Sequence, residues 1–359
     1  MFAVLALALF AGCGATNDDT DAATGADTGT ATDAAVSDRL FGTWTHAGGD
    51  YVGRLGYMAD AIHHDGFVYV AWNAGARGVA RIAADGTGPV ETVASPWRSL
   101  DAFVLEGGSG DLFAVAATDF DRSLFRLEGD GFVLVEVIDL PAGARIDTVF
   151  PTAGSVALGY FEMPDVVVIE RNPSGGGWTE LPGLGEGELI RAGFDGAPLA
   201  AVVRTGRLSI DTLRWDGSAW SPAATSVSTP MTFGHLELLV TGAGDVYLIR
   251  NIPEHVWQRL EAGEWVEARR ESTPARWVGE HEGALYFMLE SAAMGVWRDG
   301  LERRLQGASL GGEGDNVSLE ALGGSRIRFL STPGGLWLAW DEGSRGMREI
   351  FLTRFEPAD

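Results

Sequence analysis

Short apolar runs recur about every 45 residues along most of the chain. Gly or Asp usually precedes them, and they are Val68–Val70, Leu112–Ala114, Val156–Leu158, Leu199–Ala201, Val246–Leu248, Leu285–Phe287 and Leu336–Leu338. A short, uninterrupted apolar run between turn residues is typical of a β-strand that is buried on both faces. No long segment has the 3.6-residue period of an amphipathic helix, so the pattern predicts a chain built from repeated units of β-structure.

Each buried strand is followed by a second strand that carries one Arg. These are Arg81, Arg126, Arg171, Arg214, Arg259, Arg298 and Arg354. Gly-containing turns after six of them predict hairpins, and a further apolar run precedes each buried strand. Four strands per unit and seven units predict an all-β fold, a seven-bladed β-propeller. In five units a Glu on the next strand is the expected cross-strand partner of the Arg. These residues are Glu91, Glu136, Glu180, Glu267 and Glu302.

The two ends of the repeat complement each other. The seventh unit has only three strands before the chain reaches Arg354 and Phe355, whereas residues 41–45 form a solitary strand-like segment before the first unit. We expect this segment to complete the last blade, because a closed ring leaves no blade without a neighbour. Residues 39–359 are therefore predicted to form one propeller domain, and we expect it to be monomeric.

The first thirteen residues predict an export signal. Residues 1–12 are uninterruptedly apolar, which is too short for a membrane span of about 20 residues but matches the core of a signal peptide. The segment ends in Leu9-Phe10-Ala11-Gly12-Cys13, which resembles the lipobox of bacterial lipoproteins, with Phe10 at a position where that family prefers Leu. The resemblance implies that Cys13, the single Cys of the chain, is the lipid-attachment residue. An ordinary signal peptide followed by a chance Cys is the alternative.

Charge separates a tether from the domain. Residues 14–38 contain six Asp, no basic residue and no aromatic residue, and such a segment cannot bury enough apolar surface to fold. Residues 13–38 are thus predicted to be a lipidated Cys and a disordered acidic tether. The chain carries a net charge of −24 and contains no Lys, which argues against binding to nucleic acid. Genomic composition or adaptation to salt would each explain the missing Lys.

Charged residues recur where the innermost strand of each unit is expected to begin. In blade order they are Asp60, Asp101, Asp147, Arg191, Glu237, Arg276 and Arg328. Propeller topology would bring them together as a ring at one mouth of the central channel. We consider three interpretations: a plug of salt bridges, a binding site for a small polar ligand, and a Ca²⁺ site that draws on the three Asp. The sequence indicates no other cofactor, because the six His lack metal-ligand spacing.

Aromatic residues and insertions are expected on the same face as this ring. Trp72 and Trp340 end buried strands of adjacent blades and are candidate contacts for a sugar. Residues 221–233 and 306–325 interrupt the repeat in connections between blades, so they are candidate functional loops or tolerated insertions.

The function predicted from these features is binding rather than catalysis. Residues 39–359 resemble the seven-bladed β-propeller superfamily, although the motifs of its individual families are at best fragmentary. We expect a lipid-anchored protein of the bacterial cell envelope, facing the periplasm or the cell exterior, whose propeller binds a protein or glycan partner. The alternative is a carbohydrate-active hydrolase, or another propeller enzyme, that uses carboxylates at the channel mouth.

Overall fold

The computed structural model describes residues 42–46, 53–54, 56–73, 77–107, 109–119, 121–174, 176–204, 208–228, 236–250, 255–271, 275–289, 293–298, 301–306, 327–342 and 349–357. The predicted signal peptide, Cys13 and the acidic tether lie outside the described residues. So do residues 229–233 and 307–325 of the two predicted insertions. The described residues include no helical segment with the length and hydrophobicity of a membrane span.

Thirty strands make up the described fold. In chain order they are β1 (Gly42–His46), β2 (Gly53–Arg54), β3 (Tyr57–His64), β4 (Phe67–Asn73), β5 (Gly78–Ala83), β6 (Glu91–Val93), β7 (Ser99–Leu105), β8 (Leu112–Ala117), β9 (Arg122–Glu128), β10 (Gly131–Ile138), β11 (Arg145–Pro151), β12 (Val156–Glu162), β13 (Asp165–Arg171), β14 (Trp178–Leu181), β15 (Leu189–Phe194), β16 (Pro198–Arg204), β17 (Ser209–Trp215), β18 (Trp220–Pro222), β19 (Val227–Ser228), β20 (Leu236–Val240), β21 (Val246–Arg250), β22 (His255–Glu261), β23 (Glu264–Glu271), β24 (Ala275–His281), β25 (Ala284–Leu289), β26 (Ala293–Arg298), β27 (Leu301–Gln306), β28 (Ile327–Thr332), β29 (Gly335–Glu342) and β30 (Glu349–Pro357).

These strands form seven antiparallel sheets, which confirms the predicted seven-bladed β-propeller. Blade 1 contains β3–β6, blade 2 β7–β10, blade 3 β11–β14, blade 4 β15–β19, blade 5 β20–β23, blade 6 β24–β27 and blade 7 β28–β30 with β1 and β2. The first strands of neighbouring blades pack beside one another around a central channel, as β3 does with β7 and with β28. The connections between blades and the turns between second and third strands lie on one face of the disc, called here the connection face.

The ring closes as the sequence predicts. β1 pairs antiparallel with β30, with Thr45 opposite Arg354 and Trp44 opposite Phe355. The strand nearest the start of the propeller therefore supplies the outer strand of the last blade. This pairing covers the strand edge that blade 7 would otherwise expose.

The core lies between the blades. Seven clusters of buried apolar residues fill the seven gaps between adjacent blades. Strand β29 shows the principle, because its alternate residues face opposite sides. Leu338 and Trp340 pack against blade 6, whereas Trp337 and Ala339 pack against blade 1. The uninterrupted apolar runs in the sequence follow from this arrangement, since the second strand of a blade has no polar face.

The predicted cross-strand Arg–Glu pairs are only partly present. Arg81 and Glu91 face each other across β5 and β6, with 2.7 Å between Nε and Oε2. Glu136, by contrast, pairs with Arg171 of the next blade at 2.6 Å, and Arg126 turns to Glu128 on its own strand. Arg126 lies opposite Val133 and Glu136 opposite Leu124, so the pairing predicted between Arg126 and Glu136 is wrong. The two-residue turn at residues 129–130 sets this register, and a bulge between Leu134 and Glu136 changes it by only one residue.

The close approach of blades 6 and 7 predicts a stability effect at Gly279. A Cβ at this position would overlap the Cβ of Phe329 in β28. We expect Gly279→Ala to lower the free energy of unfolding by about 1–3 kcal/mol, because both strands belong to the packed inner ring. Gly154→Ala is the control, since no heavy atom lies within 4 Å of its added Cβ. Thermal unfolding measures both variants, and equal loss in the two would contradict the packing argument.

Candidate functional site

The predicted ring residues all lie near the starts of innermost strands, but none of them is the first residue. Asp60 is the fourth residue of β3, and the others are second or third in their strands. Three of them are the extra residues of β-bulges: Asp101, Asp147 and Arg276. A bulge re-aims a side chain relative to the regular pleat, so these positions do not follow the strand alternation. The side chain of Arg276 lies outside the described residues.

Asp60 links three blades. Its Oδ2 accepts a hydrogen bond from the backbone N–H of Phe103 in blade 2 at 2.9 Å. Its Oδ1 accepts from Arg328 Nε of blade 7 at 2.9 Å and from its neighbour Ala61 N–H. The Asp60 carboxylate raises the pKa of Arg328, and Glu237 adds to this effect. Asp60 and Arg328 therefore form an interblade contact at the point where the ring closes.

Asp147 and Arg191 make equivalent links between blades 3, 4 and 5. Asp147 Oδ2 accepts from the N–H of Ile190 at 3.4 Å, and Oδ1 accepts from Arg145 Nε at 2.8 Å. Arg191 Nε donates to the carbonyl of Leu236 at 3.0 Å, and its Nη1 donates to the carbonyl of Asp147 at 3.3 Å. Burial lowers the pKa of Arg191, although the nearby carboxylates oppose that shift. These side chains connect neighbouring innermost strands.

Asp101 differs from Asp60 and Asp147 in its partners and in the pKa of its carboxyl group. Arg122 Nε lies 2.7 Å from its Oδ2, in an ion pair without hydrogen-bond geometry. Burial raises the pKa of Asp101, and the charge of Arg122 compensates only in part. The three Asp residues thus have separate sets of partners. Within the described part of the chain, no group of three or more His, Cys, Asp or Glu side chains converges as a metal site would.

Two ring residues, Glu237 and Arg328, line part of the channel. Glu237 and Arg328 border a cavity of about 270 Å³ between the innermost strands of blades 5, 6 and 7. The side chain of Arg328 is half exposed to this space. At the far end, Glu280 accepts hydrogen bonds from the N–H groups of Gly283 and Gly242 at 2.7 and 3.2 Å.

Trp72 and Trp340 are not surface aromatics. Trp340 is 0% exposed and stacks on Phe351 with 5.2 Å between ring centroids. Trp72 belongs to the core between blades 7 and 1 and covers the backbone of Gly78. The expectation that these two rings offer a sugar-binding surface is therefore wrong, because interblade packing buries the ends of both strands.

A larger concave surface lies on the connection face between blades 3 and 4. This interblade groove encloses about 720 Å³. Its walls come from the β12–β13 turn, the β14–β15 connection and the facing ends of β16 and β17. The residues that line it are Arg145, Phe161, Met163, Pro164, Leu184, Gly185, Glu186, Gly187, Glu188, Arg204 and Asp211. A volume of this size is within the range of about 300–1,000 Å³ that is typical of ligand sites.

Backbone hydrogen bonds hold the wall of the groove in place. Val166 N–H donates to Gly185 O at 3.1 Å, and Gly187 N–H donates to Pro164 O at 3.0 Å. Glu188 N–H then donates to Val203 O of blade 4 at 3.0 Å. A Cβ on Gly187 would lie 2.7 Å from Val202 Cγ1, so glycine permits this close passage. The connection is thereby fixed to both blades, and the groove is preformed.

The two cations of the groove are neutralised within it. Arg145 pairs with Asp147 and lies over the ring of Phe161, with 5.7 Å from Cζ to the centroid. Arg204 Nε pairs with Asp211 Oδ2 at 3.0 Å, and its Nη1 donates to the carbonyl of Glu186. Burial raises the pKa of Asp211, but hydrogen bonds from Ser226 and Arg204 lower it further than burial raises it. Neither Arg is thus a free anion site.

Other groups in the groove remain available to a ligand. Met163 is 83% exposed, which is the highest value among the exposed large apolar residues of the described chain. The carboxylates of Glu186 and Glu188 have no hydrogen-bond or ion-pair partner among the described residues. The groove was not predicted from the sequence. The signal was the Gly- and Glu-rich segment Gly183–Glu188, which joins two blades without being long enough to interrupt the repeat.

Comparisons with known proteins identify the fold alone. No family model matches the chain, and no curated protein sequence matches it. The solved structure of YCF48 bound to a D1 peptide is 12% identical, with a TM-score of 0.56 over 88% of this chain and 96% of that one.

Two further solved structures are similar. A protein of Bacteroides fragilis NCTC 9343, provisionally assigned as a 6-phosphogluconolactonase, is 12% identical, with a TM-score of 0.50 over 69% of this chain and 83% of that one. The Aleuria aurantia lectin in complex with Fucα1-6GlcNAc is 15% identical, with a TM-score of 0.48 over 70% of this chain and 94% of that one. The likeness to YCF48 and to the Bacteroides fragilis protein supports the β-propeller fold.

The contrast between Asp60 and Asp101 gives a testable pair of variants. We expect Asp60→Asn to lower the free energy of unfolding by about 1–3 kcal/mol, because a charged acceptor is removed from several donors. Asp101→Asn is expected to preserve or raise stability at pH 7, since burial already disfavours its charged form.

The pH dependence follows from the raised pKa of Asp101. A carboxyl group whose pKa is raised on folding stabilises the fold at low pH and loses that contribution as pH rises through the folded-state value. The stability of wild type relative to Asp101→Asn should therefore rise as pH falls towards 3.8, the ordinary pKa, because the other carboxyl groups are common to both proteins. Thermal unfolding between pH 7 and pH 4 tests this, and parallel curves for wild type and Asp101→Asn would contradict it.

Proposed function

We propose that the protein is a lipid-anchored, extracytoplasmic binding protein whose propeller holds a segment of a partner protein in the interblade groove. The sequence supports the anchor, since an apolar leader runs into the single Cys and an acidic tether follows. A tether with like charges extends, which would hold the propeller away from an anionic membrane surface.

One observation carries the proposed binding role: the groove is preformed, large and lined by both apolar and charged groups. Met163, Pro164 and Phe161 provide apolar contact beside Glu186 and Glu188 of the β14–β15 connection. A thioether side chain adapts to differently shaped apolar partners. The ring of Phe161 lies under Arg145 and is not an open aromatic platform, so the groove favours a polypeptide segment over a glycan. YCF48, a propeller of similar fold, has been solved with a peptide bound, which supports this proposal by analogy.

The ring at the channel mouth supports a structural role better than a catalytic one. Asp60 and Asp147 accept hydrogen bonds from backbone N–H groups of the next blade. A general acid or base needs a carboxyl group directed at the substrate, whereas these two carboxylates are already directed at the protein backbone. The arrangement of the ring therefore gives no specific support to the alternative function of a hydrolase.

The lipid anchor is tested at Cys13. Expressed in a bacterial host with radiolabelled palmitate, the wild-type chain should incorporate label and sediment with membranes. Cys13→Ser should lose both properties, because two or more acyl chains are what make such an anchor stable. Ala23→Ser, a substitution in the tether, serves as the control. Release of the wild-type protein in soluble, unlabelled form would instead indicate an ordinary cleaved signal peptide.

The groove is tested by selecting peptide ligands from a random display library against the purified propeller. Met163→Ser should weaken binding of the selected peptides about tenfold, since a large apolar contact is lost without a change of charge. Val266→Ser is the matched control, because Val266 is an exposed apolar residue on the outer strand of blade 5. Selected peptides that bind both variants as tightly as wild type would place binding elsewhere and contradict the proposal.

A further inference from the structure

We infer that the groove selects a cationic segment, in which Lys or Arg side chains are interspersed with apolar ones. This inference rests on the proposed function and adds the chemical class of the partner. It depends on the charges that remain in the groove once its internal ion pairs are formed.

The internal pairs leave a negative groove. Arg145 and Arg204 are matched one to one by Asp147 and Asp211. Glu186 and Glu188 then remain as charges without a partner among the described residues, and both line the groove. An anionic ligand would have to displace an existing partner of an Arg, whereas a cationic ligand would find two carboxylates accessible to solvent. The local charge balance therefore favours a cation.

The apolar surface determines what kind of cation fits. Met163 and Pro164 lie beside the segment of Glu186, because Pro164 O accepts from Gly187 N–H and Val166 N–H donates to Gly185 O. Lys and Arg side chains lay their aliphatic stems on apolar surfaces while the charged end reaches a polar group. A segment that alternates such residues with apolar ones would contact both the apolar turn and the neighbouring carboxylates. A small inorganic cation would leave the exposed Met163 without a contact.

The electrostatic field of the whole domain also favours a cationic partner. Residues 39–359 carry a net charge of −18 and contain no Lys. Long-range attraction raises the association rate of an oppositely charged partner and discriminates against acidic ones. This contribution comes from the entire surface, so the experiment must separate it from the effect of the groove.

The test uses two fluorescein-labelled decapeptides, one of alternating Lys and Val and one of alternating Glu and Val. Fluorescence anisotropy at about 150 mM salt, where charges beyond about 8 Å are largely screened, measures their affinities for the propeller. The Lys peptide should bind at least about tenfold more tightly than the Glu peptide. The double variant Glu186→Gln with Glu188→Gln should bind the Lys peptide about five- to tenfold more weakly than wild type does.

The matched control removes two charges from the opposite face. Asp245 and Glu282 are exposed in turns between first and second strands, so Asp245→Asn with Glu282→Gln changes the net charge equally without touching the groove. This variant should bind the Lys peptide within about twofold of wild type, because screened charges at a distance contribute little. Equal losses in the two double variants would show that only the overall field acts, and would overturn the inference.

Three further outcomes bear on the inference and on the proposed function. Spermine that displaces the Lys peptide at equal concentration of charge would identify a polyamine site and overturn the inference of a peptide partner. If peptides bind in a manner that depends on Met163 but show no preference for Lys over Glu, the inference fails and the proposed groove stands. If neither Met163→Ser nor the Glu186 and Glu188 variant changes binding, both fail.

Discussion

Packing between blades is the constraint on which the rest of this structure depends. A single blade is a small twisted sheet whose second strand is apolar on both faces, so it cannot bury its core alone. In β29, Trp337 and Trp340 point to opposite sides and enter the cores shared with blades 1 and 6. Every blade therefore needs two neighbours, and a closed ring provides them. The pairing of β1 with β30 completes the sheet at the position where the two ends of the repeat meet.

The charged ring follows from the same arrangement. The first strand of each blade is a sheet edge, and its outward N–H and C=O groups face the channel without a partner from its own sheet. Asp60 and Asp147 accept N–H groups from the next blade, and Arg191 donates to the carbonyl of Leu236. These side chains satisfy the backbone of the neighbouring edge. At Asp60, Asp147 and Arg191, strand geometry therefore accounts for the charge.

The sequence predicted the fold well and the site poorly, for a physical reason. Blade number, the four main strands of each blade and ring closure follow from periodic burial, which every repeat records in its apolar residues. The bulge before Glu136 and the burial of Trp340 depend on local register and on neighbouring blades, neither of which has a simple pattern along the chain. The groove was missed because the seven-residue connection that includes its Gly183–Glu188 wall is only one residue longer than the β10–β11 connection. What distinguishes this wall is its hydrogen bonding to both blades.

The position of the groove follows from how blades 3 and 4 meet. The innermost strands β11 and β15 pack together, and the core behind them includes Leu184 of the connection itself. The segment after Leu184 must therefore leave the core and cross to Val203, and it does so as an alternation of Gly and Glu. Gly fits where the backbone passes close to β16, and the intervening Glu side chains are directed to the solvent side. The packing that closes the propeller thereby also places two unpaired carboxylates beside an exposed apolar turn, which is a combination suited to recognising a cationic, apolar segment.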